Sequence, residues 1–177
     1  DLFRSVKSLV EFHASRCSLS ELPAQIWHTY KLQTLKLERN ELTTLPPELG
    51  TLVELKSLVL HDNKLTVLPR EVGLLSSLTL LDLACNPLHS IPAAICLLDQ
   101  LRYLSLERME ELEFPPKEVV QQGRDAILEF LWAHHTADPE DTDDIDQGYM
   151  GSDGELDDGL QVEQTTKQLV RLSCMAG

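Results

Sequence analysis

The chain has 177 residues, 42% of them hydrophobic, and a formal net charge of −14 at pH 7. This length allows one domain and a short additional segment. Eleven acidic residues and no Lys or Arg lie between positions 138 and 163, and removing these eleven charges from −14 leaves −3 for the remainder. This absence of net positive charge argues against nucleic acid or an anionic membrane surface as a general partner. No apolar run approaches the roughly 18 residues that a membrane-spanning helix requires.

One short stretch of sequence occurs five times, at starting positions that are each 23 residues apart. The copies begin at positions 9, 32, 55, 78 and 101, and the second reads LQTLKLERNELTTLP. The pattern LxxLxLxxNxLxxLP at a constant period resembles the leucine-rich repeat family. In four copies an aliphatic residue follows the proline by three positions, which is similar to the intracellular Ras-group-related class with its LPxxI motif. These four residues are Ile26, Leu49, Val72 and Ile95.

The apolar pattern inside each repeat predicts a short strand. Leucines at repeat positions 1, 4 and 6 point inward, whereas positions 3, 5 and 7 point outward, and a period of two is typical of a strand. We therefore predict an α/β fold: a leucine-rich repeat solenoid, coiled right-handed, with a concave parallel sheet and a C-terminal capping helix. Position 9, where the chain leaves the strand, is predicted to form a structural ladder that hydrogen-bonds the loop backbone. The ladder residues are Cys17, Asn40, Asn63 and Asn86.

The 23-residue frame divides the chain into five segments. Residues 1–8 fill the last positions of a repeat, so we expect them to be the end of a truncated repeat from a longer array. Five repeats occupy residues 9–115, and residues 116–135 are predicted to form a C-terminal cap. Residues 136–163 are rich in Asp and Gly and are expected to be an acidic disordered linker. Residues 164–177 form an apolar tail.

The first and last repeats depart from the pattern. Thr29 replaces a core leucine in the first repeat, and Trp27 and Tyr30 are predicted to fill the space. In the fifth repeat, Met109 replaces the ladder asparagine and Glu111 replaces an inward leucine. Such departures are expected because a terminal repeat must face water on one side.

The cap and the tail together suggest a second kind of parent protein. Ile127, Phe130 and Leu131 recur at helical spacing, which predicts a helix over the last coil. The string PPKEVVQQGRDAILEFL resembles the end of the repeat arrays in Roco proteins, whose repeats precede a Ras-like GTPase domain. The resemblance implies that residues 169–177 are the first strand of such a domain, truncated before its phosphate loop. The alternative is a tail of no set structure, and in neither case is the fragment expected to bind or hydrolyse GTP.

The four cysteines favour a reducing environment. They form no CxxC pair and no cysteine-rich flank, and the chain has no Asn-x-Ser/Thr sequon. Disulfide frameworks are typical of secreted domains, so we predict a cytoplasmic, intracellular protein. The cysteines are Cys17, Cys85, Cys96 and Cys174.

No group of residues predicts catalysis, a metal site or a cofactor. His13 and His61 occupy outward strand positions without acidic or cysteine partners at ligand spacing, so solvated surface is the better interpretation. Residues 153–159, DGELDDG, are similar to a calcium loop, but the glycine is one place late and Gln164 stands where a bidentate Glu belongs. Ser152 precedes acidic residues and is either a phosphorylation site or an unmodified linker serine. We therefore predict that the chain is not an enzyme and needs no cofactor.

The outward strand positions are the candidate binding surface. Apolar residues at these positions gather toward the C-terminal half of the predicted concave face, and charged residues flank them. An apolar centre with a polar rim is typical of protein interfaces. The alternative is a mixed solvated face on which the apolar residues are incidental. The predicted partner-binding residues are Arg39, Val59, His61, Asp62, Leu80, Asp82, Ala84, Tyr103 and Arg108.

These observations predict a protein–protein interaction scaffold in intracellular signal transduction. It would bind another protein, such as a small GTPase or a signalling protein, on its concave face, and it would bind no nucleic acid. The alternative is the regulatory repeat segment of a multidomain Roco-type GTPase. The two hypotheses agree about the repeats and differ about the longer protein.

Overall fold

The computed structural model describes residues 9–135, which belong to one compact unit. Several sequence predictions therefore lie outside the described residues. They are the truncated repeat at residues 1–8, the acidic linker at 136–163 with its calcium-like loop and Ser152, and the tail at 164–177 with its GTPase strand.

Five strands of three residues form one parallel sheet in sequence order. Every strand pairs with the next at the same repeat positions, for example Leu35 with Leu58 and Leu58 with Leu81. The constant 23-residue period fixes this register, because a slip of one residue would turn the leucines outward. The predicted solenoid with a parallel sheet is confirmed. The strands are β1 (Glu11–His13), β2 (Thr34–Lys36), β3 (Ser57–Val59), β4 (Leu80–Asp82) and β5 (Tyr103–Ser105).

In the first four coils a 3-10 helix on the opposite side of the coil returns the chain to the sheet. Each begins directly after a proline in extended conformation, as at Pro69, where φ is −67° and ψ is 143°. Proline fixes φ at this value, so the sequence itself sets the point where the helix starts. The helices are η1 (Ala24–His28), η2 (Pro47–Thr51), η3 (Arg70–Leu74) and η4 (Ala93–Leu97).

The core lies between the sheet and the 3-10 helices. In coils two to four, the leucines at repeat positions 1, 4 and 6 all have 0% of their surface exposed. Burial of one leucine side chain contributes about 1.5–3 kcal/mol, so these columns are the main source of stability. They are Leu32, Leu35, Leu37, Leu55, Leu58, Leu60, Leu78, Leu81 and Leu83.

The two terminal coils only partly match the sequence predictions. Trp27 is buried as predicted, but Tyr30 is 51% exposed, so the prediction that it fills the core was wrong. The hydroxyl of the buried Thr29 donates to the Ile26 carbonyl at 2.5 Å, which satisfies the polar group that replaces leucine. In the fifth coil Glu111 is exposed and the next residue, Leu112, is buried instead.

Two glycines allow the 3-10 helices to pack closely. A Cβ atom on Gly73 would lie 2.5 Å from the carbonyl oxygen of Ala94 and 2.8 Å from its Cβ. On Gly50, one coil earlier, it would lie 3.0 Å from Glu71 Cβ and from the Glu71 carbonyl oxygen. Both glycines occupy repeat position 19, where the outer coils carry Trp27 and Cys96. The central coils therefore approach each other more closely than a side chain would permit.

A short helix α1 (Lys117–Val120) and a longer helix α2 (Arg124–His135) follow the last coil. Helix α2 packs on η4 and buries Ile127 and Leu131, as the helical spacing predicted. Arg124, its first residue, donates a hydrogen bond to the carbonyl oxygen of Leu101 at the start of the fifth coil. The cap thus covers the apolar end of the array. Within residues 9–135, no helix is long and apolar enough to cross a membrane.

Candidate partner-binding face

The candidate site is the outer face of the sheet, called the sheet face below. It consists of the side chains at repeat positions 3, 5, 7 and 8 of the five coils. In β2 to β4 the middle residue of each strand is buried, and its two neighbours are partly exposed. The strands therefore display alternate side chains, as the sequence predicted.

The asparagine ladder holds the loops that follow the strands. The Asn63 amide nitrogen donates to the carbonyls of Leu37 and Leu60, both at 2.9 Å, and its Oδ1 accepts from the Leu42 N–H at 3.1 Å. Asn40 and Asn86 make the equivalent bonds, each to one carbonyl of its own coil and one of the preceding coil. Each asparagine thereby links two adjacent coils and fixes the end of the sheet face.

Cys17 does not act like the ladder asparagines. Its side chain is exposed, and its Sγ donates only to the Ser15 carbonyl, at 3.3 Å. Its backbone N–H is bound instead by Oδ1 of Asn40, at 3.0 Å. Within residues 9–135 the exposed thiol makes no hydrogen bond to another coil, and the place of Cys17 in the ladder stays a prediction.

The residue before each ladder position has a left-handed backbone, which the sequence reading missed. Its φ lies between 54° and 58° in every coil, and none of these residues is glycine. A side chain in this conformation is strained by about 1 kcal/mol or more, and the surrounding hydrogen bonds must hold it. The signal in the sequence was the fixed spacing before the ladder residue. These residues are Arg16, Arg39, Asp62, Cys85 and Arg108.

The predicted apolar cluster lies on neighbouring strands. Leu80 and Tyr103 are register partners on β4 and β5, and the Tyr103 side chain is 50% exposed. Val59 on β3 and Ala84 after β4 are partly exposed. The four side chains do not form a continuous patch, because Asp82 lies between Leu80 and Ala84 along the chain and opposite Val59 across the sheet.

His61 and Asp82 form a half-buried pair in the middle of this cluster. The His61 Nδ1 and Asp82 Oδ2 atoms are 2.9 Å apart, and the two side chains are 31% and 19% exposed. The other Asp82 oxygen accepts the Ala84 N–H at 3.2 Å. Sequence reasoning treated His61 as solvated surface. It missed this pair because the two residues belong to different repeat positions on adjacent coils.

Three further charged side chains border the cluster on its N-terminal side. Arg39 Nε lies 3.3 Å from Asp62 Oδ2, and both side chains are about half exposed, so the pair contributes roughly 0–1 kcal/mol. Glu38 faces His61 and Lys36. Burial disfavours its charged form, but a hydrogen bond with Ser15 and the nearby positive charges lower the pKa of Glu38 overall. Its Oε2 atom is buried without a hydrogen-bond partner in the described part of the chain.

Two other histidines, His13 and His89, make only long, exposed contacts with acids. His13 lies 3.7 Å from Glu11, and His89 lies 3.6 Å from Glu111. Across residues 9–135 there is no group of three or more His, Cys, Asp or Glu side chains that could hold a metal ion. The chemical character of the sheet face is thus that of a mixed apolar and charged surface.

Comparison with known protein families identifies the repeats. One leucine-rich repeat family model matches residues 53–108, and a second matches residues 31–52. A comparison with curated proteins gave no significant match.

Solved structures show the same fold. A chain of the BIR3–SERK2 complex from Arabidopsis thaliana is 33% identical, with a TM-score of 0.50 over 54% of this chain and 54% of that chain. The plant peptide hormone receptor RGFR1, in complex with RGF2, is 34% identical, with a TM-score of 0.52 over 60% of this chain and 18% of that chain. An internalin (inlF) from Listeria monocytogenes is 21% identical, with a TM-score of 0.51 over 62% and 30%. The chain therefore spans about half or less of the length of these proteins.

Proposed function

Because residues 31–108 form leucine-rich repeats, we propose that the chain is an interaction scaffold that binds another protein on its sheet face. The observation that carries this proposal is the set of partly exposed apolar side chains at outward positions of β3 to β5. Strands that only served the fold would tolerate polar residues at these positions. Apolar side chains beside charged ones are the arrangement that protein interfaces use.

The rigidity of the face supports the same function. The leucine columns beneath it are fully buried, and the asparagine ladder fixes the loops at its edge. A preorganised surface loses little conformational entropy when it binds a partner. Five strands at the usual spacing give a sheet only about 19 Å across, so the interface is of modest size.

The solved relatives support binding as the role of the fold. RGFR1 was solved in complex with RGF2, and the BIR3–SERK2 structure is also a complex. Each resembles about half of this chain with at least 33% identity. We extend to this chain the role of binding a protein, and not the identity of either partner.

We further propose an intracellular signalling role, with a cytoplasmic location and a partner such as a small GTPase or another signalling protein. The LPxxI-like motif and the cysteines support this proposal. Cys17 and Cys85 form no disulfide within residues 9–135. Fluorescence microscopy of the tagged full-length parent protein tests the location, and a secreted or cell-surface signal would contradict it.

A second candidate is that the chain is the regulatory repeat segment of a Roco-type GTPase. The favouring observation is that part of the Roco-like cap sequence forms helix α2, which packs on η4 of the fourth coil. The sequence of the parent transcript tests this candidate. A Gly-Lys-Ser/Thr motif within roughly ten residues after Gly177 is expected for a phosphate loop, and its absence there would contradict the hypothesis.

The sheet-face proposal is tested with two matched triple variants in affinity capture followed by quantitative mass spectrometry. The test variant replaces three apolar side chains of the sheet face with serine: Val59, Leu80 and Tyr103. The control replaces three apolar side chains exposed elsewhere: Tyr30, Val53 and Val67. We expect the test variant to lose the captured partner and the control to retain it, while both keep the circular dichroism spectrum of the wild type. Equal capture by the two variants would contradict the proposal.

A further inference from the structure

The charged side chains of the sheet face are distributed unevenly along the array. Coils one and two carry two carboxylates and three Lys or Arg residues at the face positions, which gives a net charge of +1. Coils three to five carry three carboxylates, Asp62, Asp82 and Glu107, and one arginine, Arg108, which gives −2. The apolar cluster therefore lies in the acidic half.

The carboxylates Asp82 and Glu107 lie directly beside the apolar side chains. Asp82 is register partner to Val59 and follows Leu80 by two residues on the same face. Glu107 is in the coil next to Ala84, and its carbonyl accepts the N–H of Cys85 at 2.9 Å. The Glu107 side chain is exposed and forms no ion pair within residues 9–135. It is therefore available to a partner.

This combination matches the chemistry of a lysine or arginine side chain. The aliphatic stem of such a residue can pack on Leu80, while its cationic head stays near the carboxylates. An arginine can also stack on the exposed ring of Tyr103. An acidic partner residue at the same place would be repelled by two carboxylates.

The net charge of residues 9–135 also favours a basic partner. Residues 9–135 contain 17 acidic and 11 basic side chains, which gives a net charge of −6. Such a surface attracts a basic partner at long range and raises its association rate. Lys36 is the register partner of Val59 on β2, so a basic partner residue on that side of the cluster would be repelled by its positive charge.

We propose that the partner presents a basic segment, with a Lys or Arg beside aliphatic residues, to coils three to five of the sheet face. The cationic head lies beside the exposed Glu107 carboxylate, and the apolar neighbours cover Leu80 and Tyr103. Asp82, whose oxygens already bond His61 and the Ala84 N–H, lies next to this position and is not the cation's direct partner. This inference rests on the proposed function, because it names the chemistry of the partner at the same face.

The test uses the full chain, immobilised, and displayed random peptides of about 12 residues, which extend to about 40 Å and can cross the sheet. We expect the enriched peptides to carry Lys or Arg next to aliphatic residues. A synthetic copy of the most enriched peptide is then titrated against Glu107→Lys and against Glu48→Lys, the matched control on η2. Glu107→Lys should weaken binding about fivefold or more, whereas Glu48→Lys should leave it unchanged.

The outcomes separate this inference from the proposed function. Enriched peptides without basic residues, no enriched peptide at all, or equal effects of the two lysine variants would overturn the inference. A Leu80→Ser/Tyr103→Ser variant reports on the face itself. If it binds the enriched peptide as well as the wild type does, the sheet face is not the binding surface and the proposed function fails.

Discussion

Removal of the Asn63 side chain is the sharpest test of how the scaffold is held together. Asn63 is 7% exposed, and its amide group bonds the backbone of Leu37 and Leu42 in the second coil and of Leu60 in the third. Asn63→Ala leaves the Leu42 N–H without the only acceptor it has among the described residues. The carbonyls of Leu37 and Leu60 each lose one donor but keep another, from Asn40 at 2.8 Å and from Asn86 at 3.0 Å.

These contacts set the magnitude of the effect. One buried donor left without a partner costs about 1–3 kcal/mol, and each further lost hydrogen bond costs about 0.5–1.5 kcal/mol. Since such terms are not fully additive, we expect Asn63→Ala to lower the free energy of unfolding by about 2–4 kcal/mol. For a unit of this size that corresponds to a decrease in Tm of roughly 10 °C.

The neighbouring residue provides the control. Lys64 Nζ lies 2.7 Å from Glu41 Oε2 in an exposed ion pair, so Lys64→Ala should cost below about 1 kcal/mol. Both variants are measured by urea unfolding and by thermal unfolding followed by circular dichroism. If the two substitutions shift the urea midpoint equally, the ladder does not stabilise the coils and the reasoning fails.

Two further predictions concern packing and pH. Gly73→Ala should lower the free energy of unfolding by about 1–3 kcal/mol, because its new Cβ meets the backbone of Ala94 at 2.5 Å. The loss should exceed that of Gly50→Ala, and equal urea midpoints for the two variants would contradict this. The pKa of Glu38 is lower in the folded protein than its ordinary value of 4.5, so the charged carboxylate stabilises the fold at pH values above 4.5. This contribution is lost as the pH falls through the folded pKa. Glu38→Gln should therefore lose less stability between pH 6 and pH 3 than Glu48→Gln, and an equal loss in the two variants would be the contrary result.

The sequence predicted the regular part of the fold because the repeat leaves almost no freedom there. Each leucine has one inward direction, and the 23-residue period fixes which residues are neighbours across the sheet. The departures occur where this constraint ends. Cys17 lies in the first described coil, and there its exposed thiol donates to the Ser15 carbonyl of the same coil. Glu111 lies in the last coil, which is followed by the cap and not by another repeat, and there the chain slips by one residue and buries Leu112.

The candidate site was less predictable than the fold. Its residues were found from their outward positions, but the contacts between them depend on side-chain conformations that a repeat pattern does not encode. The pairing of His61 with Asp82 crosses two coils and two repeat positions, so no column of the aligned repeats shows it. The need for glycine at position 73 likewise depends on the approach of a neighbouring backbone.

The left-handed residues connect the scaffold to the proposed binding surface. Arg39, Asp62 and Arg108 are all placed at the edge of the sheet face by a φ of 54° to 58°. The ladder asparagine that follows Arg39 and Asp62 is buried and holds this backbone in place. Since the edge charges are fixed by the backbone, a partner meets them in one arrangement without an entropic cost for ordering the loop. The same hydrogen bonds that stabilise the solenoid therefore also orient the charged border of the proposed interface.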